Sequence, residues 1–566
     1  MLLATYQPDI RSINHSLTAS ALVAVLPLAT LFFMLGVLRI TAWISGLAAL
    51  AVAVIVATAG FDMPVSQAAD VASWGAAFGF FPIMWIVISA IWVYNMTIET
   101  GHFDVLRRSF AAVSDDMRIQ AIVIAFCFGA LMEALAGFGT PVAISAVMLI
   151  ALGFAPIKAA TLALVANTAP VAFGALATPI VTLSKVTTGA ADPAHRGDFT
   201  EDHLGALVGR QTPVLALFVP LALVVIVDGM RGLRQTWLPA LVGGVAFAVA
   251  QWLTSTHFSV QLTDVVASLV SALALVLLLR VWRPAETYSD LDPEAGGGSA
   301  SADSPRRGGG VAVATEVVPD TRVEVAKAYA PYLVIIAIFS VAQIDSVKKD
   351  LLKEPWTYLF KWPGLDLVSA SGKPPAQFTF NWLAAAGTLT IIAGLITMPI
   401  LGIGPAKAFQ AYLRTYRQLA PAIITVMAVL ALAYVMNNSG QTGALGKWMA
   451  SVGSGFALLS PVLGWLGVAV TGSDTSSNSL FGALQVTAAG QAGLDPALMA
   501  AANSSGGVLG KMVSPQNLAI AAAAVGMTGR EGDIFRKVIG WSLLFLAGMC
   551  VLVYLQSTSA LEWMLP

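Results

Sequence analysis

Charged side chains are scarce in this chain of 566 residues. Lysine, arginine, aspartate and glutamate together make up 11% of it, against roughly a quarter in soluble domains. Apolar runs of about 20 residues, the length that crosses a hydrocarbon core, recur from end to end. The net charge is -1 and no basic stripe with interleaved aromatics exists, which excludes a nucleic-acid partner. The composition predicts a polytopic, all-α membrane protein with the lipid bilayer as its surroundings.

Residues typical of enzymes and metal sites are also few. The two cysteines, Cys127 and Cys550, lie in separate apolar runs, and the five histidines lack the HExxH spacing of a zinc site. There is no GxSxG elbow, Walker loop or CxxC pair. These absences argue against an enzyme, a metal centre and a cofactor. Residues 1–15 lack the basic region and cleavage site of a signal peptide, so the apolar run 18–38 is predicted to be a retained helix.

The apolar runs predict about twelve transmembrane helices and two interrupted segments with shorter arms. The interrupted segments, 119–154 and 458–491, are expected to be re-entrant helical hairpins. We expect an N-terminal half over 1–283 and a C-terminal half over 326–566. The Gly/Ser-rich stretch 284–325 is predicted to be a flexible cytoplasmic linker between them.

Loop charges predict that the two halves are inverted repeats. Lysine and arginine favour cytoplasmic loops, and their distribution places the entry of the first hairpin on the cytoplasmic side and that of the second outside. One loop, 346–378, carries five lysines and still falls outside. This loop is long and also contains acidic residues, so we expect its lysines to be tolerated on the outer side.

Helix-breaking residues recur at corresponding places in the two halves. Gly137 to Pro141 and Asn167 to Pro170 in the first half match Gly472 to Asn478 and Asn503 to Gly506 in the second. Pro179 follows Asn167 by twelve residues, and Pro515 follows Asn503 by the same twelve. Such breaks persist at membrane depth only where the backbone is buried in protein or lines a cavity. We therefore expect both hairpin tips and two broken helices, interrupted at 167–170 and 503–506, to converge on one transporter site.

The residues at these breaks suit a small polar solute. Hydroxyls and amides form hydrogen bonds without the cost of many buried charges, and half-helix N-termini attract anions. The alternative is that these small residues only let helices pack closely. The candidate substrate-binding residues are Gly137, Gly139, Asn167, Thr168, Gly472, Ser473, Thr475, Ser476, Asn503 and Ser504.

Three ionisable residues stand out inside the apolar segments. Glu133 and Asp474 are candidates for proton coupling, because a carboxylate at membrane depth is a proton-relay or ion-site candidate by default. Lys511 would pair with a carboxylate or attract an anion. Two structural alternatives stay open: Glu133 and Lys511 form an ion pair, or Asp474 caps a hairpin helix.

Four long runs resemble the bacterial lactate permease family. They are FCFGALMEALAGFGTPVAI (126–144), LGFAPIKAATLALVANTAPVAFGA (152–175), SPVLGWLGVAVTGSDTSSNSLFGALQ (460–485) and NSSGGVLGKMVSPQNLAIA (503–521). The similarity covers nearly the whole chain. It implies a secondary transporter of the bacterial cytoplasmic (inner) membrane that takes up L-lactate, with D-lactate and glycolate, together with H+. It also implies membership of the ion-transporter superfamily, whose dicarboxylate carriers resemble the inverted-hairpin plan.

The residues alone indicate only a carrier of a small polar or anionic solute. A sodium-coupled carrier of a short carboxylate, with Na+ held by carbonyls at the breaks, is the main alternative. A cation/proton antiporter using Glu133 and Asp474 is another.

Overall fold

The computed structural model describes residues 6–137, 139–190, 197–288, 320–368 and 377–566. Within these ranges, eleven helical stretches are long and apolar enough to cross a membrane, and the predicted all-α membrane class is confirmed. Of the predicted linker, 289–319 lies outside the described residues. Its last four residues were wrongly assigned, because a helix already begins at Arg322.

Fourteen helices form the described part of the chain up to Val281. They are α1 (Leu17–Ala24), α2 (Leu26–Phe32), α3 (Ala42–Gly60), α4 (Val65–Phe78), α5 (Trp85–Glu99), α6 (His102–Ala111), α7 (Met117–Gln120), α8 (Gly129–Leu135), α9 (Thr140–Ala151), α10 (Pro156–Ala166), α11 (Gly174–Ala190), α12 (Glu201–Val208), α13 (Thr212–His257) and α14 (Thr263–Val281). Wider π-helical turns at Phe33–Val37, Gly79–Met84 and Ala121–Phe128 continue α2, join α4 to α5 and join α7 to α8.

Ten α-helices and two short strands form the described part of the chain from Asp320 onward. The helices are α15 (Arg322–Ala342), α16 (Asp345–Leu351), α17 (Ala386–Leu401), α18 (Pro405–Ser439), α19 (Gln441–Met449), α20 (Phe456–Thr471), α21 (Asp474–Ala492), α22 (Pro496–Gly510), α23 (Pro515–Ala524) and α24 (Glu531–Gln556). The strands β1 (Tyr358–Phe360) and β2 (Phe378–Phe380) pair antiparallel, with Tyr358 opposite Phe380.

The two halves stop a helix in the same way before each interrupted segment. α5 and α18 are each followed by a glycine with positive φ, Gly101 at 72° and Gly440 at 92°. Glycine adopts this left-handed conformation without the steric cost that a Cβ brings. A short helix, α6 or α19, then leads to the interrupted segment, so the resemblance between YNMTIETG and YVMNNSG corresponds to a shared local structure.

The interrupted segments pack across the two halves. α9, the second arm of the first segment, lies against α23, and α21, the second arm of the second segment, lies against α11. Every residue of Met117–Leu135 is buried, whereas only about a third of the most apolar part of α3 is buried. Protein therefore surrounds the first arm, and both halves contribute helices to the buried centre of the molecule.

A buried arginine fixes the start of this first arm. Arg118 donates to Asp116 with N–O distances of 2.7 and 3.0 Å, to Asp228 at 3.1 Å and to the Glu286 carbonyl at 2.7 Å. Asp228 lies at a kink of α13, where Asp228 and Gly229 leave helical geometry. A buried guanidinium with its donors satisfied is anchored, so α7 is held to the kink of α13.

Candidate functional site

The first-half break is a long irregular turn. α10 ends at Ala166, a single 3-10 turn occupies Val171–Phe173, and regular helix resumes only at Thr178. Ala175, Leu176 and Ala177 have φ values of 45°, 53° and 59°. Each left-handed residue other than glycine costs about 1–2 kcal/mol, and such strain persists where the surroundings enforce it, often at functional sites.

The second-half break lies later than predicted. The expected interruption at 503–506 is wrong, because α22 continues without a break from Pro496 to Gly510. The small residues there let helices approach closely: a Cβ on Gly506 or Gly510 would overlap the backbone of Pro461 or Trp465 in α20. This is the close-packing alternative.

The chain instead leaves the α-helix at Lys511–Val513, a 3-10 turn, and Ser514 is extended with ψ of 138°. α23 then starts at Pro515, and the Ser514 hydroxyl accepts from the Asn517 backbone N–H at 3.3 Å. In the register that pairs Asn167 with Asn503, residues 175–178 correspond to 511–514. Both halves therefore turn directly before the Thr178-Pro179 and Ser514-Pro515 pairs.

A buried ion pair joins the two breaks. Lys511 Nζ lies 2.6 Å from Glu133 Oε1, and Asn167 Nδ2 donates to Glu133 Oε2 at 2.9 Å. Glu133 is 3% exposed and Lys511 5%. Gly174 leaves room for the carboxylate, because a Cβ there would lie 2.7 Å from Oε1. The pair that the sequence suggested as one alternative is present, and it links the first arm of one half to the break of the other.

A second polar cluster surrounds Asp474. Its Oδ2 accepts from Ser504 Oγ at 2.5 Å and from Asn478 Nδ2 at 3.4 Å. Asn503 Nδ2 donates to Asn478 Oδ1 at 2.9 Å, and Gln485 Nε2 donates to Asn503 Oδ1 at 3.1 Å. Asp474 does not cap α21, because the cap is the Ser473 hydroxyl, which accepts from the Ser476 N–H. Ser504 and Lys511 are seven residues apart, so the two clusters lie about 10 Å apart along the chain that forms α22.

Both tips of the interrupted segments meet at the start of α23. Asn517 Nδ2 donates to the Gly472 carbonyl at 3.3 Å, and a Cβ on Gly139 would lie 3.4 Å from Asn517 Oδ1. The tip glycines have positive φ, 82° for Gly139 and 75° for Gly472. A Cβ on Gly137 would lie 3.4 Å from that of Ala175, so the first tip also contacts the left-handed turn.

The remaining predicted residues Thr168, Thr475 and Ser476 are buried. Thr168 Oγ1 donates to the Val165 carbonyl at 2.7 Å, so its hydroxyl proton is bound within the last turn of α10. Thr475 and Ser476 lie buried in the first turn of α21. Whether these hydroxyls contact a substrate stays a prediction.

Some polar atoms of the centre have no hydrogen-bond partner among the described residues. They include Asn167 Oδ1, Asp474 Oδ1, Gln485 Oε1 and Ser505 Oγ. Buried polar atoms are almost always bonded, so these are the atoms at which a polar ligand gains most. Within the same ranges, no three His, Cys, Asp or Glu side chains lie close enough to hold a metal ion.

The sequence did not identify several polar side chains of this region, among them Asn517 and Asp264. Asn517 lies three residues after Ser514 in a Ser-Pro-Gln-Asn start of α23, a pattern that indicates a helix beginning but not a partner. Asp264 lies inside a predicted apolar span and is completely buried. A count of every carboxylate inside the apolar spans would have found it.

The chain is similar to known proteins along nearly its whole length. The family model described as L-lactate permease matches residues 20–559. The chain is similar to the L-lactate permease of Bacillus subtilis strain 168, with 40% identity over 98% of each chain. It is also similar to the glycolate permease GlcA of Escherichia coli K12, with 39% identity over 95% of this chain and 96% of that one.

Among solved structures, the YdaH transporter of Alcanivorax borkumensis is similar at 16% identity and a TM-score of 0.42, covering 83% of this chain and 84% of that one. The family model and the sequence relatives span nearly the whole chain. The protein therefore belongs to the L-lactate permease family, multi-pass transporters of the bacterial inner membrane.

Proposed function

We propose that this transporter takes up L-lactate, and also D-lactate and glycolate, by symport with protons. The observation that carries the proposal is the buried Lys511–Glu133 pair between the two breaks. Relatives named L-lactate permease and glycolate permease support the choice of short 2-hydroxy acids. Each of these substrates is an anion at neutral pH, and the site needs one cation to hold it.

Lys511 is the proposed receptor of the substrate carboxylate. Its ammonium already binds a carboxylate, that of Glu133, at 2.6 Å. A lactate carboxylate has the same chemistry and can take that place. Asn167 Oδ1, which has no hydrogen-bond partner in the described part of the chain, is a suitable acceptor for the 2-hydroxyl of the substrate. We propose that Gly137, Gly139 and Gly472 bring the tip backbones close to the substrate. The hydroxyls and amides of Thr168, Ser473, Thr475, Ser476, Asn503 and Ser504 are the further proposed contacts.

Charge balance couples the proton to lactate. In the empty site, Glu133 and Lys511 cancel. When lactate displaces Glu133 from Lys511, a buried negative charge is left over, and an uncompensated buried charge costs several kcal/mol. If Glu133 binds one proton at that moment, its carboxylate becomes a neutral acid and the net charge of the site stays zero. Lactate binding without the proton is therefore disfavoured, which is the requirement for coupling.

Asp474 is the alternative proposed proton-coupling residue, in place of Glu133. Its Oδ2 is held by Ser504 and Asn478, whereas its Oδ1 has no partner among the described residues. It is 2% exposed. Its partner Ser504, in α22, precedes Lys511 by about two helical turns. A proton on Asp474 would remove a buried charge near the substrate.

The interrupted segments are the proposed gates. We propose that α7 to α9 and α20 to α21 are re-entrant hairpins that enter from the cytoplasmic and outer sides, in two inverted halves. Asn517 is hydrogen-bonded to the second tip and lies beside the first, which favours alternating access around one site. Opening the second gate requires the hydrogen bond from Asn517 to the Gly472 carbonyl to break.

Reconstituted vesicles test the proposed function. Labelled L-lactate is supplied under an imposed pH gradient, an imposed Na+ gradient or neither, with protein-free vesicles measuring leak. We expect uphill accumulation with the exterior acidic and none with Na+ alone. Accumulation driven by Na+ at equal pH would replace the proton by Na+ and favour the sodium-coupled alternative.

A further inference from the structure

Another buried carboxylate, Asp264, lies beside the first-half break. Asp264, in the first turn of α14, is 0% exposed. Its Oδ1 accepts from Gln251 Nε2 at 2.9 Å, and its Oδ2 has no partner among the described residues. Asp264 is thus a buried carboxylate with one neutral hydrogen bond.

Gln251 connects this carboxylate to the break. The same Nε2 that donates to Asp264 also donates to the Ala169 carbonyl at 3.3 Å. Ala169 lies two residues after Asn167, whose side chain binds Glu133. Asp264 and Glu133 therefore contact the same irregular turn from two sides, one through Gln251 and the other through Asn167.

The helices that pack against α14 bring no counter-charge to Asp264. They are α8, α11 and α13, together with the π-helical turn Ala121–Phe128. Their titratable residues are Glu133, Lys185, Asp228, Arg231, Arg234, His257 and Cys127. In the described ranges none of these cations pairs with Asp264. Lys185 pairs with Glu201 at 3.6 Å and Arg231 with Glu286 at 2.7 Å.

We propose that Asp264 is a second proton-binding residue of the transport cycle, placed on the first-half break through Gln251. This inference rests on the proposed proton symport and extends it. An isolated buried charge is costly, and binding a proton removes that cost. Asp264 takes up one proton when the carrier loads lactate and releases it on the inner side, so two protons accompany each lactate.

The second proton makes transport electrogenic. Lactate with one proton carries no net charge, and the membrane potential then does no work on it. Lactate with two protons carries one positive charge, so an interior-negative potential drives uptake. The two stoichiometries differ in this response even when the pH is equal on both sides.

Purified protein in vesicles separates the two cases. In the first arm the pH is equal on both sides, and valinomycin with a tenfold outward potassium gradient sets an interior-negative membrane potential. The parent should then accumulate L-lactate about tenfold, and the Asp264→Asn variant should accumulate none. With a pH gradient of one unit and the potential clamped at zero, the parent should reach about a hundredfold and Asp264→Asn about tenfold. Asp202→Asn, an exposed residue of α12 that pairs with Lys348, is the matched control and should behave as the parent.

The outcomes are distinguishable. A parent that accumulates lactate on the pH gradient but ignores the potassium gradient overturns the role of Asp264 and leaves proton symport standing. Failure to accumulate on either gradient overturns the proposed function itself. An Asp264→Asn variant that equals the parent in both arms assigns the second proton elsewhere. If Asp264→Asn does not fold, the Asp264→Glu variant is measured instead. It keeps a titratable carboxylate at this position and must therefore keep the response to the membrane potential.

Discussion

The Glu133–Lys511 pair predicts an asymmetric cost of mutation. Lys511→Met removes the cation that lies 2.6 Å from Glu133 Oε1. It leaves a carboxylate that is 3% exposed and that has, among the described residues, one neutral partner, Asn167. Breaking a buried pair in this way costs about 3–5 kcal/mol of unfolding free energy. Glu133→Gln leaves the ammonium unpaired and should cost a similar amount. The double variant leaves two neutral side chains of similar size and should recover most of the loss.

SDS titration in mixed micelles, followed by tryptophan fluorescence, measures these free energies. Lys407→Met, at an exposed position in the first turn of α18, is the control and should change stability by less than about 0.5 kcal/mol. A Lys511→Met variant as stable as this control would contradict the argument. So would a double variant that is as unstable as the sum of the two single variants, because the pair would then carry no coupling energy.

Three further substitutions test the geometry of the site. Gly174→Ala places a methyl group 2.7 Å from Glu133 Oε1 and should reduce lactate uptake at least tenfold, whereas Gly540→Ala, where a Cβ meets nothing within 4 Å, should leave uptake unchanged. Asn503→Ala should lower uptake of lactate more than that of propionate, because it leaves the buried 2-hydroxyl of lactate without a hydrogen-bond partner. Equal loss for both substrates would show that Asn503 bonds only to other residues of the protein. Asn517→Ala removes the amide that donates to one tip and lies beside the other, and should slow uptake with loss of about 0.5–1.5 kcal/mol of stability; an unchanged rate would show that Asn517 has no part in the gate.

Local patterns in the sequence predicted the class of the fold and most of its interruptions. Apolar runs of membrane length predicted the helices, and clusters such as Gly137 to Pro141 predicted interrupted segments. The same logic failed at Asn503–Gly506, where serine and glycine remain helical because α20 packs against them closely. Proline cannot donate an N–H and therefore starts a helix more easily than it continues one. Pro515 marks the real restart.

Contacts between the halves were harder to predict. The sequence offered the pairing of Glu133 with Lys511 as one of several options, because charges in an apolar environment have few possible partners. Neutral side chains such as Asn517 and Gln251 gave no such constraint, since an amide finds partners in many places. Their positions depend on how α9 meets α23 and how α13 meets α10, which no local pattern contains.

Net uptake and exchange by Glu133→Gln test the central claim most directly. In this variant lactate still neutralises Lys511, but an empty carrier would leave that ammonium buried without a partner. We predict that Glu133→Gln vesicles exchange external labelled lactate for internal unlabelled lactate at a rate near that of the parent. We also predict that they accumulate no lactate against its gradient when the exterior is acidic. Parent-like accumulation on that pH gradient would show that Glu133 does not couple the proton to lactate.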